Sequence, residues 1–270
     1  MRTFLIFLVL FLSINSCSEY QKALKSEDIK LKFDIGTKLF EAENWKRANG
    51  IFQQIVPKYA GKPQAEKLMY MYAMTFYKMG RYRTANYQLE RFSNIYKKSE
   101  KAEEAAFLGA KSYYYESPRY SKFQEPTIKA IEKLQLYVNA YPNSQYLSEA
   151  NTLVKELEFK IEKKAFEIAK QYNRIRDYKA SVKSFNNFLS DFPGTSLRED
   201  AMFYRFLAMF NLETKSVDYL KVERINEAQN YYNTLVKVFP NTKYLEEATE
   251  MQEKLLSEQV AIIETTTETE

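Results

Sequence analysis

Small and apolar residues recur with the same spacing in five segments of the chain. In each segment a small residue is followed by large apolar residues four and seven positions later and by an aromatic residue eleven positions later. This spacing places all four side chains on one face of a helix. The small residues are Ala48, Ala85, Ala130, Ser181 and Ala228, and the aromatic residues are Tyr59, Tyr96, Tyr141, Phe192 and Phe239. The pattern predicts five amphipathic helices, which we call the B helices.

A second helix, the A helix, precedes each B helix and carries a Gly or Ala where the two backbones approach closely. These residues are Gly36, Ala73, Ala110, Ala169 and Ala208. They lie 12 positions before the small residue of the B helix in copies one, two and four, and 20 positions before it in copies three and five. The eight extra residues predict longer turns near 117–124 and 213–220. The 51 positions between Tyr141 and Phe192 predict an extended helix within 144–176.

A short segment at the end of three B helices marks the junction to the next helix. It consists of an aromatic residue, Pro, any residue and Ser or Thr, and it ends in Ala at positions 141–150, 192–201 and 239–248. Pro stops the helix, and the Ser or Thr hydroxyl is expected to cap the next one, whose first turn carries acidic residues. The segments predict helix pairs joined by tight turns.

The small residue, the large residue four positions later and the terminal aromatic-Pro pair resemble the tetratricopeptide repeat. The resemblance implies an all-α fold, a right-handed superhelix of about five helix pairs (an α-solenoid). Trp45 departs from the repeat pattern because it falls in a turn. We expect a repeat domain over 30–263, with repeats at 30–60, 61–97, 98–142, 143–193 and 194–240 and a C-terminal helix at 241–263. The tail 264–270 contains only Thr and Glu and is predicted to be disordered.

An apolar run at positions 4–12 marks the N-terminus as a signal peptide. A membrane span needs about twenty apolar residues, so this run is too short to cross a bilayer, but it fits the hydrophobic region of a secretory signal. We therefore expect residues 1–16 to be removed from the mature protein.

The residues that follow the apolar run resemble the lipobox of bacterial lipoproteins. Ile14 and the small residue Ser16 precede Cys17, the single cysteine of the chain. The resemblance implies that Cys17 is acylated and that several acyl chains anchor the protein, with a linker over 17–29 before the repeats. An ordinary thiol in a signal anchor is the other interpretation of this cysteine. Ser18 resembles the outer-membrane sorting signal more than the inner-membrane one.

Composition argues against an enzyme and against a nucleic-acid-binding protein. The chain has no histidine and one cysteine, which excludes Ser-His-Asp and Cys-His triads and His-based zinc sites. It contains no Gly-rich phosphate loop and no nucleophile elbow. The formal net charge of +5 is small for 270 residues, and Lys and Arg are dispersed among Asp and Glu. We predict no catalytic residues, no metal, no cofactor and no nucleic-acid partner.

Five repeats of irregular length, the lipobox and the Tyr-Pro-x-Ser junction together resemble the BamD/YfiO family of outer-membrane assembly lipoproteins. The resemblance covers most of residues 17–263. It implies a lipid-anchored, periplasm-facing subunit of the BAM machinery, which helps to insert and fold β-barrel proteins in the outer membrane. The implied partners are a BamA-like barrel subunit, whose periplasmic domains dock on the C-terminal repeats, and unfolded outer membrane protein clients, whose terminal signal the N-terminal repeats receive.

Two other classes of envelope protein remain open. A tetratricopeptide scaffold that organises cell-wall or division enzymes would have the same repeats and anchor, and the sequence separates it poorly from a barrel-assembly subunit. A nutrient-binding lipoprotein of the SusD type is disfavoured because those chains are much longer and carry an added glycan-binding region.

Three consecutive tyrosines are candidates for a peptide-binding groove. They are Tyr113, Tyr114 and Tyr115. Consecutive residues on a helix point about 100° apart, so all three cannot face the core. At least one of them is expected to line a groove or to face solvent.

Four arginines of the fourth and fifth repeats are candidates for partner binding. They are Arg174, Arg176, Arg198 and Arg205. Arginines suit charge-paired docking of a protein partner. A solvated face without a partner is the other interpretation of these residues.

Overall fold

The computed structural model describes residues 19–214 and 218–267, and each regular element within these ranges is a helix. A short helical segment at 19–25 comes first, and a 3₁₀ turn, Val56–Tyr59, follows α2. The α-helices are α1 (Ile29–Glu41), α2 (Trp45–Ile55), α3 (Ala65–Lys78), α4 (Tyr82–Ile95), α5 (Ala102–Glu116), α6 (Glu125–Ala140), α7 (Leu147–Arg174), α8 (Tyr178–Asp191), α9 (Arg198–Glu213), α10 (Asp218–Val238) and α11 (Leu245–Thr267). The predicted all-α repeat fold is confirmed.

The chain forms two compact units, Met1–Leu157 (unit 1) and Glu158–Glu270 (unit 2). Helices α1 to α6 belong to unit 1 and α8 to α11 belong to unit 2. Helix α7 contributes its first residues to unit 1 and the remainder to unit 2. Each unit therefore has its own set of helix pairs and its own core.

The predicted small residue is fully buried in all five B helices, which are α2, α4, α6, α8 and α10. The residues with no exposed surface are Ala48, Ala85, Ala130, Ser181 and Ala228. Gly36 on α1 is equally constrained, because a Cβ built there would lie 2.5 Å from the ring of Phe52 on α2. The two helices of this pair pack at the distance that only glycine permits.

The Ser or Thr of each junction stabilises the turn rather than capping the helix directly. Ser144 accepts a hydrogen bond from the backbone N–H of Tyr146 at 2.9 Å, one residue before α7 begins. Its hydroxyl donates to Glu103 at 2.6 Å, on the first turn of α5. Thr242 repeats the arrangement, with a bond of 2.7 Å to Glu199 on α9. The junction hydroxyl thus ties the end of a helix pair to the beginning of the same pair.

The long interval between the third and fourth junctions is filled by a single helix, as predicted. Helix α7 has 28 residues, Leu147–Arg174, and lies within 144–176. The first insertion is also where the sequence placed it, in the loop 117–124 between α5 and α6. The second insertion, near 213–220, was predicted as a longer turn, but helix α10 already begins within it. Its first residue, Asp218, lies ten positions before Ala228, whereas α2, α4 and α8 begin three positions before their small residue.

Two further boundaries differ from the sequence-based expectation. Trp45 is the first residue of α2 rather than part of a turn, and its ring packs edge-on against Phe40 with centroids 5.1 Å apart. Helix α11 continues to Thr267, into the segment 264–270 that was expected to be disordered. The predicted signal peptide and Cys17 lie outside the described residues.

Candidate protein-binding surfaces

Three tyrosines from three helices meet in unit 1. Tyr115 on α5 stacks on Tyr82, at the start of α4, with ring centroids 4.4 Å apart and an interplanar angle of 21°. Tyr77, near the end of α3, meets both rings edge-on, with centroids 5.8 Å from Tyr82 and 6.3 Å from Tyr115. Tyr115 still keeps 43% of its surface exposed. The rings form an open platform of the kind that stacks against peptide side chains.

Charged groups extend this platform toward α7. Lys111 lies one turn before Tyr115, pairs with Glu149 on α7 and has its ammonium 5.9 Å from the Tyr115 ring centre. The Tyr114 hydroxyl donates a 2.6 Å hydrogen bond to Glu156. This hydrogen bond and burial raise the pKa of Tyr114 to about 12, so the hydroxyl remains protonated at neutral pH. We call the surface made by Tyr77, Tyr82, Lys111, Tyr114 and Tyr115 the tyrosine face.

Tyr113 points to a different side of α5. It is partly buried and packs against the core that α5, α6 and α7 share. The Lys133 ammonium lies 5.3 Å from its ring centre, and burial together with the charge of Glu90 raises its pKa. Of the three predicted groove tyrosines, the structure brings Tyr114 and Tyr115 to the tyrosine face and places Tyr113 in helix packing.

Unit 1 also has a groove of about 440 Å³ beside α1 and α3, which we call the N-terminal groove. It is lined by Phe40, Glu41, Pro63, Glu66, Lys67, Tyr70, Met71, Phe92 and Lys101. The Lys101 ammonium lies 5.5 Å from the ring centre of Tyr70, and burial, followed by the charge of Glu104, raises the pKa of that tyrosine. An apolar floor with charged groups at the rim is the usual composition of a site that binds a protein segment.

Arg205 is the centre of a polar network in unit 2. Its guanidinium donates to the Asn186 side chain at 3.0 Å and lies 4.1 Å from the ring centre of Tyr231. The Tyr231 hydroxyl donates to Glu227 and accepts from Asn186. Burial lowers the pKa of Arg205, and its Nε is buried without a hydrogen-bond partner. This arginine holds α8, α9 and α10 together instead of projecting into solvent.

The other three predicted arginines occupy different positions. Arg198 is the first residue of α9 and donates to the carbonyl of Pro193 at 3.2 Å. Arg174 ends α7 and lies 3.7 Å from Glu167, and Arg176 follows in the turn before α8 with a left-handed φ of 66°. The four arginines therefore lie in two regions. Arg198 and Arg205 are on α9, and Arg174 and Arg176 are at the turn between α7 and α8.

A second groove, of about 450 Å³, lies in unit 2 between α8, α9 and α10, and we call it the C-terminal groove. It is lined by Lys179, Val182, Lys183, Asn186, Met209, Leu212, Leu220, Glu223, Arg224 and Glu227. The two lysines come from α8, and α10 contributes two glutamates and Arg224, so a basic side and a mainly acidic side border an apolar floor. Asn186 and Glu227 belong to the Arg205 network, which therefore fixes part of the groove wall.

A carboxylate that the sequence reasoning missed is buried near the same helices. Glu213 at the end of α9 has no exposed surface, and neither of its carboxylate oxygens has a hydrogen-bond partner. Burial, followed by the charge of Glu258, raises its pKa, while Lys221 acts in the opposite direction. Its position could have been found from the sequence, because it occupies an apolar place in the helical stripe that begins at Phe206.

The sequence also did not identify Tyr77 and Tyr82 as neighbours of Tyr115. They lie on α3 and α4, and their rings meet Tyr115 on α5 only because the two helix pairs stack. Lys111 is different, because it lies four positions before Tyr115 on the same helix and its spacing alone makes the two residues neighbours. Spacing within one helix does not report such contacts between pairs.

Within the described ranges, no three His, Cys, Asp or Glu side chains come together as a possible metal site. None of the described helices is long and apolar enough to span a membrane.

Comparison with known proteins identifies the family. Residues 27–218 match the YfiO family, described as "Outer membrane lipoprotein". The chain belongs to the YfiO family. The matched segment includes α1 to α9 and with them the whole tyrosine face. The YfiO family consists of non-enzymatic assembly scaffolds, which confirms the prediction that the chain is not an enzyme.

The chain is also similar to the outer membrane protein assembly factor BamD of Caulobacter vibrioides. The two sequences are 21% identical over 175 residues, a match that covers 65% of this chain and 57% of the relative. The match thus spans less than two thirds of the relative's length. Together with the YfiO match, it associates the chain with the outer membrane.

Proposed function

We propose that this chain is an outer-membrane-anchored, periplasm-facing scaffold subunit of the BAM machinery, which helps to insert and fold outer membrane proteins. The observation that carries the proposal is the YfiO family match, because it extends over every helix that contributes to the tyrosine face. The name of the Caulobacter relative, an assembly factor, supports the same role.

Unfolded outer membrane protein clients bind to unit 1 in this account. The tyrosine face offers flat rings for apolar and aromatic client side chains and hydroxyl groups for the client backbone. Lys111 stands beside the Tyr115 ring and can attract a client carboxylate, in competition with Glu149. The N-terminal groove, with its apolar floor, provides a second contact region on the same unit.

The BamA-like barrel subunit docks on unit 2. The C-terminal groove has lysines on α8 and glutamates on α10, so a partner segment with acidic and basic residues on its two sides would fit between them. Of the predicted arginines, Arg205 fixes the groove wall through its hydrogen bond to Asn186. Arg198 is the first residue of the same helix, α9.

The anchor is part of the proposal. Removal of residues 1–16 and acylation of Cys17 would hold the repeats at the membrane, with the described helices on the periplasmic side. Multiple acyl chains bind a membrane stably, whereas one chain gives only reversible attachment.

Two matched variants test whether clients bind to unit 1 and the barrel subunit binds to unit 2. Tyr115→Ala removes the exposed ring of the tyrosine face, and Lys179→Glu with Lys183→Glu reverses the charge at one side of the C-terminal groove. We expect Tyr115→Ala to weaken binding of an unfolded barrel-protein peptide about tenfold, in line with loss of an aromatic contact residue. The lysine variant should abolish co-isolation of the barrel subunit. Each variant should leave the other interaction intact.

A matched control for the tyrosine is Tyr219→Ala, which removes an exposed ring from α10 of unit 2. Loss of peptide binding in this control to the same extent as in Tyr115→Ala would contradict the assignment to the tyrosine face. Recovery of cell-wall or division enzymes without any barrel protein would favour the alternative envelope scaffold.

A further inference from the structure

Two neighbouring segments of unit 1 carry a cluster of exposed positive charge. The segment 78–83 contains the turn between α3 and α4 together with the adjoining helix ends, and the loop 117–124 joins α5 to α6. Together they contain five basic residues and no acidic residue. The exposed basic residues are Lys78, Arg81, Arg83, Arg119 and Lys122. We call these two segments the basic ridge.

The two segments of the ridge are held side by side. Tyr82 and Tyr115 stack between them, and Arg83 reaches Glu116 at 3.4 Å. Glu116 is the acidic residue directly before the loop, and it also accepts a 3.1 Å hydrogen bond from the side chain of Asn86. The Glu116 carboxylate therefore helps to join the two segments. The exposed cations lie on both segments, on either side of this carboxylate.

The loop of the ridge is structured by a single buried side chain. The two N–H groups of the Gln124 amide are shared among three backbone carbonyls of the loop, those of Arg119, Tyr120 and Lys122, at 2.9, 3.2 and 2.9 Å. Its amide oxygen accepts from the Thr127 hydroxyl at 2.7 Å. The eight-residue insertion is consequently an ordered loop with a fixed outline.

This ordered loop presents an aromatic side chain to solvent. Phe123 is 75% exposed, and the exposed Lys122 is its immediate neighbour. An exposed Phe on a constrained loop gains nothing for folding, because its apolar surface stays in water. Together with the basic side chains it forms the combination of aromatic and cationic groups found at membrane interfaces.

The chain enters unit 1 at the same end of its helix pairs. Arg47, one turn into α2, lies over the ring of Tyr20 at 5.3 Å. The Trp45 ring at the start of α2 lies 5.7 Å from the Lys78 ammonium of the ridge. Tyr20 is three positions after Cys17, and three extended residues span at most about 11 Å. An anchor at that cysteine would therefore bring this end of unit 1 close to the bilayer.

We propose that the basic ridge lies on an anionic phospholipid surface, with Phe123 inserted among the headgroups and the basic side chains against lipid phosphates. A lipid surface fits the ridge because its side chains project from two turns and the adjoining helix ends. A soft headgroup layer can accept projections from several such places at once. The five basic residues of the ridge outnumber the two carboxylates that flank its loop, Glu116 and Glu125, so the net charge of this surface is positive and complements an anionic bilayer. The ridge would set the orientation of the repeats at the membrane, a role beyond the proposed client and barrel contacts. Because Tyr82 and Tyr115 stack between its two segments, it would also place the tyrosine face next to the headgroup layer.

The experiment uses single-tryptophan versions of the full chain, since Trp45 is the single natural tryptophan. The chain carrying Trp45→Phe and Phe123→Trp reports on the ridge. The chain carrying Trp45→Phe and Ile95→Trp is the control, because Ile95 is exposed at the opposite end of α4. Both chains are reconstituted into vesicles with brominated acyl chains, made of phosphatidylcholine alone or with phosphatidylglycerol added.

The N-terminal segment is the same in every sample, so a difference between the two lipids reports on the ridge. We expect quenching of the tryptophan at position 123 to be at least about twofold stronger in the anionic vesicles and to weaken with salt. The tryptophan at position 95 should be quenched equally in both. Circular dichroism and thermal unfolding verify that the variants are folded.

Charge-reversal variants test whether the lipid dependence comes from the ridge itself or from the overall charge of the protein. Arg81→Glu with Lys122→Glu should abolish the difference between lipids at position 123. Lys97→Glu with Lys98→Glu makes the same charge change beyond the other end of α4, on residues that are also exposed, and should preserve it. Equal quenching in both lipids, or equal loss in both charge variants, would overturn the proposal. The proposal would also be overturned if the chain carrying Arg81→Glu and Lys122→Glu kept its lipid contact but lost binding to an acidic protein. That result would make the ridge a protein-docking surface.

Discussion

A Cβ atom at Gly36 would lie 2.5 Å from the ring of Phe52, far inside the van der Waals contact distance of about 3.5–4.0 Å between carbon atoms. Phe52 is fully buried, so its ring has no free space into which to move. Gly36→Ala should therefore destabilise the protein by about 1–3 kcal/mol through overpacking, even though Ala favours a helix by about 1 kcal/mol. Urea unfolding followed by circular dichroism measures this difference.

Gly194→Ala is the matched control, because a Cβ there would have no neighbour within 4 Å. We expect a change of no more than about 0.5 kcal/mol. Equal effects at the two glycines would show that close packing of α1 on α2 is not the cause.

Ser144 is expected to contribute to stability through its junction contacts. Ser144→Ala removes the hydrogen bond to Glu103, the acceptor for the Tyr146 N–H and the hydrogen bond with the Tyr137 hydroxyl. We expect a loss of about 1–3 kcal/mol, because one of these bonds involves a charged group. Ser148→Ala, at an exposed position on the first turn of α7, should have little effect in the same urea titration.

The stability of the protein should respond to the protonation of Glu213. Burial and Glu258 raise its pKa above the ordinary value of 4.5, with Lys221 and Arg224 opposing the shift. Between the unfolded and the folded pKa the native state binds more protons, so stability falls as the pH rises through this interval. Glu213→Gln removes the titration and should be more stable than the unaltered chain at neutral pH. The difference should shrink when urea unfolding is repeated below the unfolded pKa, and a difference independent of pH would contradict this account.

The anchor can be tested separately from the repeats. Cys17→Ala should prevent incorporation of radiolabelled fatty acid and release the protein from the membrane fraction, because the acyl chains would supply the stable attachment. Retention of both the label and the membrane association would rule out acylation at this residue.

Repetition made most of the fold predictable from the sequence. The positions of Ala48 and its four equivalents defined the B helices, and the structure buries all five. The 51-residue interval located the long helix α7. The second insertion was less predictable, because its length alone did not distinguish a longer turn from a longer helix.

The binding surfaces were only partly predictable, because they depend on contacts between helix pairs. The run of three tyrosines indicated that not all rings could face the core, and Tyr115 is indeed exposed. Its neighbours Tyr77 and Tyr82 come from another pair and have no spacing relationship to it. Arg205 was predicted as a docking residue, whereas its contact with Tyr231 places it within the helix packing.

The assembly role is tested most directly by depleting the protein from cells and measuring the folded fraction of outer membrane β-barrel proteins, by their altered migration before and after heating. We expect the folded fraction to fall on depletion and the unaltered chain to restore it, whereas the chain carrying Lys179→Glu and Lys183→Glu should not. An unchanged folded fraction, accompanied by misplaced cell-wall or division enzymes, would contradict the assembly role.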